Sequence, residues 1–137
     1  MYGWLMTGAL LMALGVMAGA FGAHALRTHI TPEALAIYQT GVLYHLMHAL
    51  ALVGLGGLRL ALGRVGGTAQ DALVRGLGRV CGLLCFGVVV FSGSLYVLVV
   101  TGERWLGMIT PIGGLAFIAG WILLAFIVLR DGRARAA

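Results

Sequence analysis

Length, composition and charge place this sequence among integral membrane proteins. The chain has 137 residues, of which 61% are apolar and 9% are charged, with nine Arg, no Lys and four acidic residues. A soluble domain spends about a quarter of its residues on charge, so the composition excludes a soluble globular protein. The net charge is +5, but a chain this apolar offers no basic soluble surface to which a nucleic acid could bind. We therefore expect no nucleic-acid partner.

Four charge-poor segments are each long enough to cross a bilayer, which takes about 20 residues. They cover roughly residues 4–26, 36–58, 78–100 and 106–129. Because the linkers between them are short, the sequence predicts an all-α fold, with residues 1–137 forming a single membrane domain of four helices packed as a bundle. No Lys or Arg precedes the first segment, so we expect a retained helix and not a cleaved signal peptide.

The second helix has a clear start in the sequence. Thr31 suits the N-cap, Pro32 the first helical position, and Glu33 the first turn, where its charge complements the helix dipole. After this helix, the glycine-rich residues 63–76 predict a flexible loop with at most one short amphipathic turn.

Arginine is distributed unevenly between the two ends of the predicted bundle. Only Arg27 and Arg104 lie in the linkers at one end. The other end carries seven: Arg59, Arg64, Arg75, Arg79, Arg130, Arg133 and Arg135. Since cytoplasmic loops carry the basic excess, we expect both termini in the cytoplasm. The sequence thus predicts a multi-pass protein of the plasma (inner) membrane that contacts membrane lipids.

Polar side chains within the spans concentrate in the predicted outer half. Such groups are expensive in lipid and usually face the bundle interior. One stripe of the second helix, at 100° per residue, carries Tyr38, Gly41, His45 and His48. A stripe of the third helix carries Cys81, Cys85, Ser92 and Tyr96. The sequence predicts an outer polar cluster made of His24, Tyr44, His45, His48, Ser92, Ser94, Tyr96 and Thr110.

Several functions are compatible with this cluster. A structural hydrogen-bond network and a site for a small molecule or lipid headgroup are the main candidates. Metal or haem ligation by His24, His45 and His48 is an alternative, although no carboxylate or thiol lies at the same depth. A proton relay or transport component is another. The sequence identifies no cofactor.

Catalysis is not expected from these residues. Ser92 or Ser94 beside a histidine could form an activated nucleophile. No acidic residue within a span is available to orient the histidine as a base. We therefore expect a non-enzymatic protein.

Glycine and cysteine positions predict close helix packing. Two Gly-x-x-x-Gly motifs, residues 15–19 and 78–82, favour tight contacts within the bundle or between copies. A chain this small leaves helix faces with little else to bury against, and we expect a homodimer or trimer. Cys81 and Cys85 are one helix turn apart, which does not suit a disulfide, so we expect them to act as small packing residues.

Four strings occur in an order that resembles a known family: GAFGAHAL, YQTGVLYHLMHALAL, FSGSLYVL and ITPIGGLAFIAGW. Together they resemble domain-of-unknown-function family 423, the YgdD-like small membrane proteins, from about residue 15 to 129. The resemblance implies a four-helix plasma-membrane protein and no particular reaction. His45 occupies a more variable position of the family. The family motifs correspond to Gly19, Gly22, His24, Tyr44, His48, Ser92, Gly93, Ser94, Tyr96, Thr110, Pro111 and Gly113. The Gly-x-x-x-Gly motifs and the family motifs together give the expected packing glycines: Gly15, Gly19, Gly22, Gly78, Gly82, Gly93 and Gly113.

Overall fold

A computed structural model describes residues 2–136, except for the side chains of residues 68, 69 and 134–136. The predicted contribution of Arg135 to the basic tail lies outside this description. The five α-helices are α1 (Gly3–His24), α2 (Pro32–Val65), α3 (Thr68–Gly87), α4 (Gly93–Thr101) and α5 (Thr110–Ala136). A π-helical turn, Val88–Ser92, joins α3 to α4 without a break. Short 3₁₀ turns occupy Leu26–Thr28 and Arg104–Met108.

Four stretches of the described chain are long and apolar enough to cross a membrane: Gly3–Thr28, Pro32–Val65, Gln70–Thr101 and Arg104–Arg133. The third span therefore consists of α3, the π turn and α4. Helices are the expected solution in lipid because they satisfy every backbone polar group within the segment. The predicted all-α, four-span architecture is confirmed.

The start of α2 is confirmed in detail. The Thr31 hydroxyl accepts a hydrogen bond from the backbone N–H of Ala34 at 3.3 Å, and Pro32 opens the helix. The helix then continues for 34 residues, which is about 51 Å at 1.5 Å per residue. It is therefore longer than the bilayer core of about 30 Å.

The flexible loop predicted at residues 63–76 is wrong. Helix α2 runs to Val65, α3 begins at Thr68, and only Gly66 and Gly67 separate them. These two glycines adopt φ values of 75° and 105°, which side-chain-bearing residues rarely adopt. The arginines between residues 59 and 79 lower hydropathy but are good helix formers, so the helices continue past the point where the apolar pattern stops.

The bundle consists of two antiparallel hairpins. In the first, Gly22 of α1 lies beside Tyr38 of α2, while Gly8 lies beside Val53. In the second, Gly120 of α5 lies beside Leu84, and Gly87 of α3 lies beside Phe117. A shared apolar core joins the hairpins and comprises Leu52, Val80, Cys81, Leu84, Val88 and Phe117. Cys81 and Cys85 are free thiols.

Most of the predicted packing glycines contact another helix of the same chain. Gly15 and Gly19 face Leu46 and Val42 of α2, and Gly22 faces Tyr38. The remaining contacts of this set are Gly78 with Arg59, Gly82 with Trp4, and Gly113 with Phe91. Gly93 differs, since a Cβ built on it would meet nothing within 4 Å. Both Gly-x-x-x-Gly motifs therefore serve contacts inside the bundle.

The two ends of the bundle are called outer and inner, after their predicted orientation in the membrane. The outer end contains residues 25–31 and 102–109. The inner end contains residues 66–67, the start of α1 and the end of α5.

Candidate functional site

His48 is fixed by neighbours on both sides of its ring. It is only 5% exposed. Its Nδ1 lies 2.8 Å from the main-chain oxygen of Tyr44, one turn earlier on α2. On the other side, the indole N–H of Trp121 on α5 donates to its Nε2 at 3.2 Å.

These two partners determine the protonation of His48. A carbonyl oxygen can only accept, so Nδ1 must carry a proton. An indole N–H can only donate, so Nε2 must present its lone pair. The ring is therefore neutral, with its proton on Nδ1, and both nitrogens are occupied inside the chain.

Aromatic side chains surround this imidazole. The ring of Phe117 stacks on His48 with centroids 3.6 Å apart and planes at 12°. The ring of Tyr44 packs between those of Phe91 and Phe117, at centroid distances of 4.6 and 6.0 Å. These contacts lock the orientation of His48 and keep its surroundings apolar.

His45 links α2 to α4. Its Nδ1 shares a hydrogen bond of 3.2 Å with the Tyr96 hydroxyl. The ring of Tyr96 also packs on Tyr38, with centroids 5.0 Å apart, and the Tyr38 hydroxyl donates to the main-chain oxygen of Ala18 at 2.9 Å. This chain of contacts connects α1, α2 and α4 near the outer end. The Nε2 of His45 is buried without a hydrogen bond of good geometry, although the main chain of Leu11 lies on that side.

The serines and Thr110 form a separate contact between the third span and α5. The hydroxyls of Ser94 and Thr110 lie 2.8 Å apart. The Ser94 hydroxyl also lies 3.0 Å from the Phe91 oxygen, and the Thr110 hydroxyl lies 3.3 Å from the Leu106 oxygen. Because each hydroxyl has one proton, one of the two donates to its main-chain oxygen and the other donates across to the neighbouring hydroxyl. Ser92 is fully buried, and its hydroxyl has no partner among the described residues.

The structure does not bring the predicted metal ligands together. His24 is exposed at the end of α1, whereas His45 and His48 are buried. No group of three or more His, Cys, Asp or Glu side chains within the described part of the chain could hold a metal ion.

Trp121, Phe117 and Phe91 contribute to this site and were not predicted from the sequence. Trp121 could have been found, since an indole N–H within a membrane span needs an acceptor. Phe117 and Phe91 gave no such signal, because apolar residues are expected throughout a span.

Cavities of the described structure lie away from this cluster. Two of them, of about 350 and 480 Å³, open at the inner end beside α3 and α5. Neither is lined by a residue of the outer polar cluster. The cluster thus consists of direct side-chain contacts between helices: His48 with Trp121, His45 with Tyr96, and Ser94 with Thr110.

Comparisons with known proteins agree with the membrane architecture. The chain is 40% identical to the UPF0382 membrane protein YwdK of Bacillus subtilis, covering 93% of this chain and 96% of YwdK. A UPF0382 membrane protein of Staphylococcus saprophyticus is also 40% identical, covering 88% of this chain and 92% of its own length. One from Staphylococcus haemolyticus is 41% identical over 88% of this chain and 90% of its own. No solved structure matches the chain.

The four spans and these relatives establish a multi-pass membrane protein. A family model described as "Protein of unknown function (DUF423)" matches residues 18–114. The chain therefore belongs to this family of membrane proteins.

Proposed function

We propose that this chain is a non-enzymatic structural membrane protein whose outer polar cluster ties the two hairpins together. The observation that carries the proposal is the occupation of both His48 nitrogens, by the Tyr44 oxygen and the Trp121 indole. A ring whose only lone pair accepts an indole N–H has none to offer a metal. It also has no spare proton to pass on.

Metal binding, proton relay and ligand binding would each require the hydrogen bonds of the cluster to be broken or rearranged. Metal or haem ligation through His48 would need Trp121 to leave Nε2, and would also lose the contact between α2 and α5. A proton relay would need a continuous path, whereas His48 and His45 bond to different partners, Trp121 and Tyr96. A small ligand or lipid headgroup would have to displace direct contacts, not fill one of the two cavities described above.

A double-mutant cycle between His48 and Trp121 tests the structural proposal. Trp121→Phe removes the indole N–H, and His48→Ala removes its acceptor. We expect His48→Ala to lower the free energy of unfolding by about 1–2 kcal/mol, combining a lost membrane hydrogen bond of about 0.6 kcal/mol with a lost aromatic contact of about 0.5–1.5 kcal/mol. The coupling energy between the two substitutions is expected to be at least about 0.5 kcal/mol. Unfolding is measured in lipid nanodiscs.

Trp105→Phe is the matched control. Trp105 lies in the 3₁₀ turn at the outer end and is 53% exposed, so we expect a change within about 0.5 kcal/mol. Wild-type stability in His48→Ala would contradict the proposal. So would stoichiometric metal, or a haem absorption band, that accompanies the wild-type protein and is lost from this variant.

Self-association as a homodimer or trimer remains a proposal with a changed basis. The glycines that motivated it contact neighbouring helices of the same chain. What still supports it is the number of large apolar side chains on outward-facing surfaces, including Leu10, Met17 and Phe21 of α1. Lipid can cover the same surfaces.

A further inference from the structure

A cleft at the inner end combines arginine with apolar side chains. It lies between α3 and α5 and has a volume of about 480 Å³, within the range of small-molecule sites. Its basic side chains are Arg75, Arg79 and Arg130. Its apolar side chains include Leu123, Phe126 and Ile127. We call it the inner cleft.

Helix geometry sorts these residues by depth. Leu123, Phe126 and Arg130 follow one another at helical spacing on α5, with the arginine nearest the inner end. Leu123 and Arg130 are seven residues apart, which is roughly 10 Å along the helix axis. On α3, Arg75 and Arg79 lie one turn apart and face the same cleft. Along α5 the cleft lining thus changes from apolar to basic over a distance comparable to the boundary between acyl chains and headgroups.

A close helix contact lies beside these side chains. A Cβ built on Gly76 would lie 2.9 Å from the Cδ1 of Ile127, so α3 and α5 approach closely at this level. Arg75 and Arg79, whose side chains are long, lie on either side of Gly76 in the sequence of α3. The arginines are therefore positioned by a packed helix pair and not by a loop.

The arginines of the cleft differ from those of α2. The guanidinium of Arg59 donates to the Val74 oxygen at 3.0 Å, and that of Arg64 donates to the Tyr2 hydroxyl at 3.3 Å. Among the described residues, none of the three cleft arginines donates a hydrogen bond to another part of the chain. Asp131 also lines the cleft. The local balance is therefore three positive charges to one negative charge.

We propose that the inner cleft binds one anionic glycerophospholipid of the leaflet at the inner end. Guanidinium groups bind phosphate oxygens through paired N–H donors, and basic pockets between membrane helices on the cytoplasmic side suit anionic headgroups. Phe126 is 59% exposed on the membrane side of Arg130, where an acyl chain of the same lipid would lie. Charge and polarity together select a lipid over a free anion. This proposal is independent of the structural role of His48.

Lipid binding is measured by native mass spectrometry of the full chain, titrated with phosphatidylglycerol or phosphatidylcholine. We expect one phosphatidylglycerol to remain bound at activation energies that remove phosphatidylcholine. The double variant Arg75→Gln/Arg130→Gln should weaken phosphatidylglycerol binding about thirtyfold, since each basic residue near a membrane surface contributes a factor of about five.

The matched control is Arg64→Gln/Arg133→Gln, which removes the same charge at the same end outside the cleft. It should change the affinity less than threefold. Equal weakening in both double variants would show a general charge effect and overturn the site.

A separate pair of variants tests whether the apolar side chains of the cleft contribute to lipid binding. Phe126→Ala should weaken binding severalfold, while Phe86→Ala, at a side chain 50% exposed outside the cleft, should not. Competition with inorganic phosphate separates a lipid from a free anion. Displacement of the lipid by millimolar phosphate, or no loss in Phe126→Ala, would overturn the lipid assignment. Unchanged lipid binding in Arg75→Gln/Arg130→Gln would overturn the proposal as a whole.

Discussion

His45 and His48 lie one turn apart on the same face of α2, yet their surroundings differ. Both nitrogens of His48 are paired, whereas His45 has one good hydrogen bond, to the hydroxyl of Tyr96. A buried polar group costs more when it loses its last partner than its bond contributes when present. The stability contribution of His45 should therefore depend strongly on Tyr96.

Tyr96→Phe removes this hydroxyl and keeps the ring that packs on Tyr38. We expect the free energy of unfolding to fall by about 1–2 kcal/mol, because His45 would then be buried without a hydrogen bond of good geometry. Tyr44→Phe is the control, since Tyr44 is 38% exposed and its hydroxyl has no hydrogen-bond partner among the described residues. Chemical unfolding in matched detergent measures both variants. Equal losses in the two would contradict the special role of Tyr96.

At the scale of single residues, the sequence predicted the inward stripe of α2 well. Tyr38, Gly41, His45 and His48 are all buried, as the helical period indicates. The partners of these residues were harder to predict, because sequence gives depth and face but not which of several hydroxyls or indoles is nearest. His24 illustrates the limit: it has a similar depth to the cluster but points outward.

Glycine determines how closely the elements approach. Along α1, Gly8, Gly15 and Gly22 recur every seven residues and are all buried. The seven-residue repeat keeps one face against α2 over the whole span. The sequence predicted that glycine would serve packing, but a chain with 23 glycines does not reveal which ones face a backbone. That information comes only from the register between helices.

Neighbouring glycines of α2 provide a sharp test of this register. A Cβ at Gly56 would lie 2.5 Å from the backbone nitrogen of Leu5, whereas a Cβ at Gly57 would meet nothing within 4 Å. We expect Gly56→Ala to destabilise the protein by about 1–3 kcal/mol through overpacking. Gly57→Ala should be neutral or stabilise by up to about 1 kcal/mol, because alanine favours helix. Thermal unfolding of the pair in nanodiscs measures the difference, and a reversed order would refute the α1–α2 register.

The element boundaries at the inner end were predicted poorly for a physical reason. Hydropathy indicates which part of a helix lies in lipid. It gives no information about how far the helix continues into water. Since α2 is longer than the bilayer core, its last turns and the first turns of α3 carry arginine without ceasing to be helical. Only the backbone conformation of Gly66 and Gly67 ends the run.

For the molecule as a whole, glycine contacts and hydrogen bonds occur both within and between the hairpins, as Gly78 with Arg59 and Ser94 with Thr110 show. Within each hairpin the helices meet at glycines, such as Gly8 with Val53 and Gly120 with Leu84. Between the hairpins, hydrogen bonds supplement the apolar core. Among the described residues, hydrogen bonds between the hairpins join His45 with Tyr96, Trp121 with His48, and Arg59 with the Val74 oxygen. The four-helix architecture was predictable from composition because lipid leaves the chain few alternatives.

Orientation in the membrane is a prediction for the whole molecule. Seven arginines at one end against two at the other predict that both termini lie in the cytoplasm. In a background where Cys81 and Cys85 are replaced by Ala, Thr28→Cys should react with an impermeant maleimide added to intact cells. Arg64→Cys, at the opposite end, should react only after the membrane is opened. The reverse labelling pattern would invert the topology.

The hydrogen bond between His48 and Trp121 joins residues 73 positions apart, and this separation has a consequence for biosynthesis. At roughly 5–20 residues per second, the ribosome delivers the indole about 4–15 s after the imidazole. During that interval the Nδ1 proton of His48 can bond to the oxygen of Tyr44 in its own helix. Only the Nε2 lone pair of His48 has no partner until Trp121 has been synthesised. His48 can therefore insert with its hairpin while only its Nε2 lone pair is open, and α5 later provides the donor.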